Sequence, residues 1–315
     1  MNHSSISRRG ILKTMSLAAG AVWTGTRVTR AEEDPAGGNL HLASNHYSWI
    51  VYFNRDQRDF NQSLDEGLKE VAASGINGFE ANVNGPEDIE RFAPLLKKHG
   101  LEMRSLYVNS VLHDAGEAEK SLQHILAIAD KAKAIGTRII VTNPSPIQWG
   151  GAGDKTDEQL KIQAEALERL GQELHGRGMI LAYHNHDMEL RNAAREFHHM
   201  MVGTDPRYVT LCLDAHWIYR GSGNSQVALF DIVDLYGKRV SEVHLRQSVN
   251  HVWAETFGEG DIDYPALARE LLFMDVKPHL VLEQAVETGT PHTLSPVEAH
   301  RRSVEYARRV FAGMS

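Results

Sequence analysis

From residue 39 onward, short apolar runs alternate with longer segments whose apolar positions recur every three or four residues. NLHLASNHYSW reads as a first strand, and LDEGLKEVAASG as a helix ending at Gly75. INGFEANV reads as the second strand, followed by PEDIERFAPLLKKHG, a helix with Pro86 at its start and Gly100 at its end. LEMRSLYVNS, TRIIVTNPS, MILAYHNH, YVTLCLDAH, VSEVHLR and HLVLEQAV supply six more strands. Amphipathic segments separate them near 115–135, 157–177, 191–203, 225–236, 264–273 and 294–311. In ALERLGQELHGRG, for instance, Ala166, Leu167, Leu170 and Leu174 make one stripe. Eight strands alternating with helices predict a single-domain α/β fold, a parallel (β/α)8 TIM barrel over residues 40–315. An open doubly wound sheet is the competitor, but no G-x-G-x-x-G follows the first strand.

The residues before the barrel follow a different pattern. Paired Arg8 and Arg9 precede the modest apolar stretch ILKTMSLAAGAVW, and Ser7, Ile11, Leu12 and Lys13 complete the likeness to a twin-arginine export signal. We expect residues 1–31 to be that leader, 32–39 a flexible linker, and the mature protein to reach the periplasm or the exterior. Without the leader, 28 basic residues face 41 acidic ones, a formal charge of −13. Such a surface repels phosphate backbones, so nucleic acid is not an expected partner. No apolar run is long enough for a membrane-spanning helix. The single cysteine, Cys212, excludes an internal disulfide and sits mid-strand as a core residue.

Candidate chemistry lies at the C-terminal ends of the later strands. His184, Asp214, His244 and Glu283 follow one another at intervals of 30, 30 and 39 residues, about one barrel unit each. Strand ends of a closed barrel converge on one mouth, where two imidazoles and two carboxylates would hold a divalent cation such as Mn²⁺, Zn²⁺ or Co²⁺. His186 shares the face of His184 and would lie nearer substrate, where an imidazole can move a proton. His186, Asp187 and Glu189 are alternatives for the ligand on this strand. Trp217 offers an apolar wall for a sugar ring, with His216 beside it. Arg246 either holds substrate or pairs with Asp214 or Glu259. Glu80, Asn45 and His46, at the first two strand ends, are further candidates for the pocket. In GEGDIDYPAL, Gly258 and Gly260 suggest a tight turn and Asp263 a helix cap.

AYHNHDMEL, LDAHW, VHLR, FGEGDIDYPAL and the terminal LEQ together resemble the xylose isomerase-like barrel superfamily of sugar phosphate isomerases and epimerases, inosose dehydratases among them. The resemblance spans nearly all of the chain after the leader. It implies a metal held by glutamate, aspartate, histidine and glutamate, of which Asp214, His244 and Glu283 match three. The fourth position departs from the pattern, because LAYH places His184 where epimerases of this group carry glutamate. Their two-glutamate acid/base mechanism is therefore not carried over, and the dehydratase-like branch, whose strand also reads YHxH, fits better. The expected enzyme is a metal-dependent isomerase, epimerase or dehydratase of a sugar, keto-sugar or cyclitol. It would work by proton abstraction next to a carbonyl, with Glu283 or His186 as base and Glu80, His216, Trp217 and Arg246 as substrate contacts. A non-catalytic carbohydrate-binding barrel is the alternative, and an endonuclease-like metal hydrolase a remote one; a homo-oligomer is left open.

Overall fold

The apolar runs form the strands their spacing predicts, and those strands close on themselves. In this computed structural model, which describes residues 40–315, the order is β1 (Leu42–Asn45), α1 (His46–Arg55), α2 (Leu64–Ala73), β2 (Gly78–Asn82), α3 (Pro86–His99), β3 (Ser105–Ser110), α4 (Ala115–Lys133), β4 (Ile139–Pro144), α5 (Asp157–Gly176), β5 (Ile180–His184), α6 (Arg191–Val202), β6 (Val209–Asp214), α7 (Ala215–Gly221), α8 (Gln226–Tyr236), β7 (Val240–Leu245), β8 (Ser248–Val249), β9 (Val252–Trp253), α9 (Tyr264–Phe273), β10 (His279–Leu282) and α10 (Pro296–Val310). Strands β1 to β7 and β10 form one closed parallel barrel, in which β10 pairs with both β7 and β1. The small strands β8 and β9 pair antiparallel outside it. The expected leader and linker lie outside the described residues, among which no helix is long and apolar enough to cross a membrane.

Local chemistry sets the element ends. Pro86 occupies the first turn of α3, and Gly100 closes that helix at φ 67°, a left-handed position that costs glycine little. Thr156 and Gln159 form a reciprocal capping box at the start of α5, and Asp263 caps α9 as its position suggests. The first strand is shorter than NLHLASNHYSW would allow. Asn45 accepts a hydrogen bond from Tyr47 N at 2.7 Å, and this cap turns the chain into α1. The glycines of GEGDIDYPAL are not needed for a left-handed turn, since neither Gly258 nor Gly260 has a positive φ. Gly260 instead admits a close approach: a Cβ there would stand 2.2 Å from the Ser248 carbonyl oxygen.

Outside the barrel wall, Trp49, Phe53, Phe60, Phe79 and Phe92 are fully or almost fully buried between strands and helices. Each such ring contributes about 1.5–3 kcal/mol by leaving water. His46 belongs to this cluster, with ring centroids 5.1–5.6 Å from Phe60, Phe79 and Phe92, so it is a packing residue and does not line the pocket. Cys212 is buried inside the barrel with Val141 and Ala182, as a core position should be.

His300 on α10 stacks on Trp49 with centroids 4.0 Å apart, and its Nδ1 donates to the Pro296 carbonyl at 2.8 Å. Burial holds its pKa down at about 4, against an ordinary 6.5. The folded state therefore resists a proton that the unfolded chain accepts. The stabilisation is complete above pH 6.5 and is lost as pH falls through 4, at a cost of about 3 kcal/mol. Urea unfolding at pH 7.5 and 4.5 checks this: His300→Gln should narrow the stability difference between the two pH values, and an unchanged difference would refute the assignment.

Candidate active site at the barrel mouth

Four strand ends bring their side chains to one point. His184 ends β5 and Asp214 ends β6; His244 on β7 is the register partner of Asp214, and Glu283 follows β10 directly. His184 Nε2 is 3.1 Å from His244 Nδ1 and 3.7 Å from Asp214 Oδ2, while His244 Nδ1 is 3.0 Å from Glu283 Oε2. One ligand atom from each of the four residues lies within 4.8 Å of all the others, and all four residues are buried.

The local fold explains why these atoms are free to converge. Asp214 Oδ1 accepts from Trp217 N at 2.9 Å and caps α7, which leaves Oδ2 buried and without a hydrogen bond among the described residues. A buried carboxylate oxygen with no donor is costly unless a cation meets it. Ligand atoms about 2.0–2.2 Å from a metal stand roughly 3–3.5 Å from one another, and the contacts of 3.0–3.7 Å fit that spacing. Two imidazoles with two carboxylates suit Mn²⁺, Zn²⁺ or Co²⁺. Asp187 and Glu189 are not in the donor set. Glu189 is turned beneath the loop, where it accepts from His186 N at 2.7 Å and Asn143 Nδ2 at 3.2 Å. Burial, then the nearby Glu196, push its carboxyl up to about 7.

Below this set, inside the barrel, lies a second acidic layer. Glu242 sits two residues before His244 on the same face of β7, and both Glu242 Oε1 and Glu80 Oε1 are 3.1 Å from His244 Nε2. Glu80 also accepts from Asn45 Nδ2 at 2.6 Å and Ser105 Oγ at 3.0 Å. Burial opposes ionisation of Glu80, but the charge a metal-free His244 carries, with hydrogen bonds from His244, Glu242 and Asn45, outweighs it and holds the carboxyl below its usual range. Burial and the Glu80 carboxylate push Glu242 the other way, up to about 8. Glu80 is thus fully buried under the ligands, not at a surface where substrate would meet it.

Next to the donor set, and lined by its Glu283, opens a cavity of about 400 Å³, walled by Tyr47, Tyr107, Trp149 and Trp217, with Asn45, Asn82, His186, Asp187 and Arg246 also among its polar lining. His186 stands between Trp149 and Trp217, at centroid distances of 5.1 and 5.7 Å. Burial, then the neighbouring His184, lower its pKa well below the ordinary value, so the free ring is neutral. Arg246 pairs with Glu283 Oε2 at 3.0 Å rather than with Asp214 or Glu259, and lies over the rings of Trp253 and Trp217 at 4.3 and 5.1 Å. Its charge outweighs burial and keeps Glu283 ionised. His216 is fully buried behind this wall, near Trp217 and Trp253, and does not line the cavity. Glu259 is exposed and lies elsewhere, beside Tyr306 and Arg309.

Residues 68–310 match the family model described as the xylose isomerase-like TIM barrel. The chain belongs to that family. Among curated relatives, it is 23% identical over 290 residues to an inosose dehydratase of Clostridium perfringens, covering 82% of this chain and 94% of that one. An inosose dehydratase of Mesomycoplasma hyopneumoniae is similar at 23% over 293 residues, covering 84% and 94%. Among solved structures, a sugar phosphate isomerase/epimerase from Parabacteroides distasonis superposes with a TM-score of 0.68 at 16% identity, covering 87% of this chain and 96% of that one. A 3-keto-D-glucoside 4-epimerase from E. coli superposes with a TM-score of 0.63 at 16% identity, covering 86% and 99%. These structures share the barrel.

Sequence reasoning missed several residues of the site. Glu242 was legible as an acidic residue two before His244, hence on the same strand face. Tyr107 lies on β3 and Trp149 on the loop after β4; only their place near strand ends marked them. Arg191, at the start of α6, also reaches the cavity, and its sequence carries no signal of that.

Proposed function

We propose that this protein is a divalent-metal-dependent enzyme that isomerises, epimerises or dehydrates a sugar, keto-sugar or cyclitol. The observation that carries the reading is Asp214 Oδ2, buried without a hydrogen bond among the described residues, within a four-residue donor set whose Glu283 lines an aromatic-walled cavity. His184, Asp214, His244 and Glu283 would hold the metal, which would polarise a substrate carbonyl and adjacent hydroxyl and so acidify the neighbouring C–H. Trp149 and Trp217 supply apolar faces for a sugar ring, while Asn45, Asn82 and Asp187 offer hydrogen-bond partners to hydroxyls. His186 is the better placed base. It lines the cavity and its Nδ1 has no hydrogen-bond partner, whereas Glu283 is already engaged by His244 and Arg246. Positioned proton transfer of this kind contributes roughly 10²–10⁴-fold.

The test is incubation of the Mn²⁺-loaded protein in D₂O with a panel of 3-keto-sugars and inososes. Deuterium should enter the carbon next to the carbonyl, or water should be lost there, and His186→Gln should slow either by at least 10²-fold. Binding without exchange across the whole panel would favour a carbohydrate-binding barrel instead.

Residues 1–31 support a further part of the proposal, export through the twin-arginine route. Arg8→Lys with Arg9→Lys should trap the protein in the cytoplasm with its leader intact. Normal export of that double variant, followed by fractionation and mass spectrometry, would overturn it.

A further inference from the structure

Resting on the metal reading above, we infer that Glu80 and Glu242 are positioning residues which fix the orientation and tautomer of His244, so that it offers Nδ1, and not Nε2, to the ion. Three observations lead there. His244 Nε2 faces two carboxyl oxygens, Glu80 Oε1 and Glu242 Oε1, each at 3.1 Å. A ring nitrogen between two such acceptors carries the hydrogen, and in a neutral imidazole the other nitrogen then keeps its lone pair. That other nitrogen, Nδ1, is the atom that meets His184 Nε2 and Glu283 Oε2. The acceptors are themselves held. Asn45 and Ser105 both donate to Glu80, and Cys212 Sγ lies 3.6 Å from Glu242 Oε1. Glu80, Glu242 and His244 are all fully buried, so water does not compete for these contacts. Asn45 also lines the cavity, so one side chain joins the substrate space to the carboxylate beneath the ligand.

The sequence accounts for the layering. Glu242 and His244 are two apart on β7 and point to the same side, about 6.6 Å apart along the strand. Barrel interiors stack side chains in such layers. Here one layer holds the acceptors and the next the ligands.

The experiment uses the full mature protein loaded with Zn²⁺, which is diamagnetic, and reads two things. Two-bond ¹H–¹⁵N spectra of the wild type should show His244 protonated at Nε2 and ligated through Nδ1. Zn²⁺ affinity of Glu242→Gln and Glu80→Gln, measured by chelator competition, should fall by roughly 10–100-fold, with one equivalent still bound at saturation. The conservative Glu242→Asp should recover part of the loss. Ligation of His244 through Nε2 would overturn the inference, as would affinities within threefold of wild type in both variants. The wild-type spectrum decides the matter even if a variant fails to fold. If the wild type binds no Zn²⁺ at all, the metal reading itself fails, and that result is distinct from a bound ion met through the other nitrogen.

Discussion

Asp214→Asn should abolish metal binding while leaving the barrel folded. Asparagine is as good a helix cap as aspartate, so the side-chain oxygen can still accept from Trp217 N and start α7. The position of Oδ2, however, becomes an NH₂ group, which offers a cation no lone pair. In the wild type, a metal bound at this set and present at about 1,000 times its Kd would add about 4 kcal/mol to stability. For a chain of this size that is a rise in Tm on the order of 10 °C. Elemental analysis after Mn²⁺ loading should find one equivalent in the wild type and none in Asp214→Asn, and the variant's Tm should not respond to the ion. One equivalent retained in the variant, with a normal Tm response, would remove the donor set as drawn.

Glu283→Ala should be the most destabilising single change at the mouth. Arg246 is fully buried, with Nη2 on Glu283 Oε2 at 3.0 Å and Nε on the Glu283 carbonyl at 3.0 Å. Removing the carboxylate strands a buried guanidinium, which costs about 3–5 kcal/mol. The aromatic faces of Trp217 and Trp253 offset only part of this, since a desolvated cation–π contact contributes about 2 kcal/mol. Urea unfolding in the presence of chelator isolates this cost from lost metal binding. Arg246→Met in the same background should restore stability, because it removes the stranded charge and keeps the packing volume. Glu283→Ala unfolding at the wild-type midpoint would show that the pair contributes nothing.

Much of this architecture was readable from residue order, because the strand–helix period is carried by burial. A parallel strand buried on both faces must be a short apolar run, as VTLCLD and ILAYH are, and its polar residue must fall where the chain leaves the barrel. That constraint made His184, Asp214, His244 and Glu283 visible together. What the order concealed was depth. Glu80 and Glu283 both read as carboxylates at strand ends, yet Glu80 lies beneath the ligands, fully buried, while Glu283 reaches the cavity. Glu80 is the middle residue of β2, whereas Glu283 lies just past the end of β10, and the apolar runs did not mark where each strand stops. The burial of His216 and the carboxylate partner of Arg246, which does line the cavity, were hidden for a related reason. Their partners, Trp253 and Glu283, come from distant loops and strands, so spacing along the chain could not supply them. Gly260 reads in the sequence as part of a tight turn, but what it admits is the Ser248 carbonyl, 12 residues earlier, at a distance no Cβ would tolerate.

The two oxygens of Asp214 also limit what evolution can place there. The short side chain lets one oxygen reach back to an amide three residues ahead while its twin points inward. Glutamate, longer by a methylene, is a poor helix starter. It would keep the charge but surrender the first turn of α7, and with it the seat of Trp217. Position 214 is thus chosen for reach as much as for valence, and a shift in its backbone would move a wall of the chamber together with the floor.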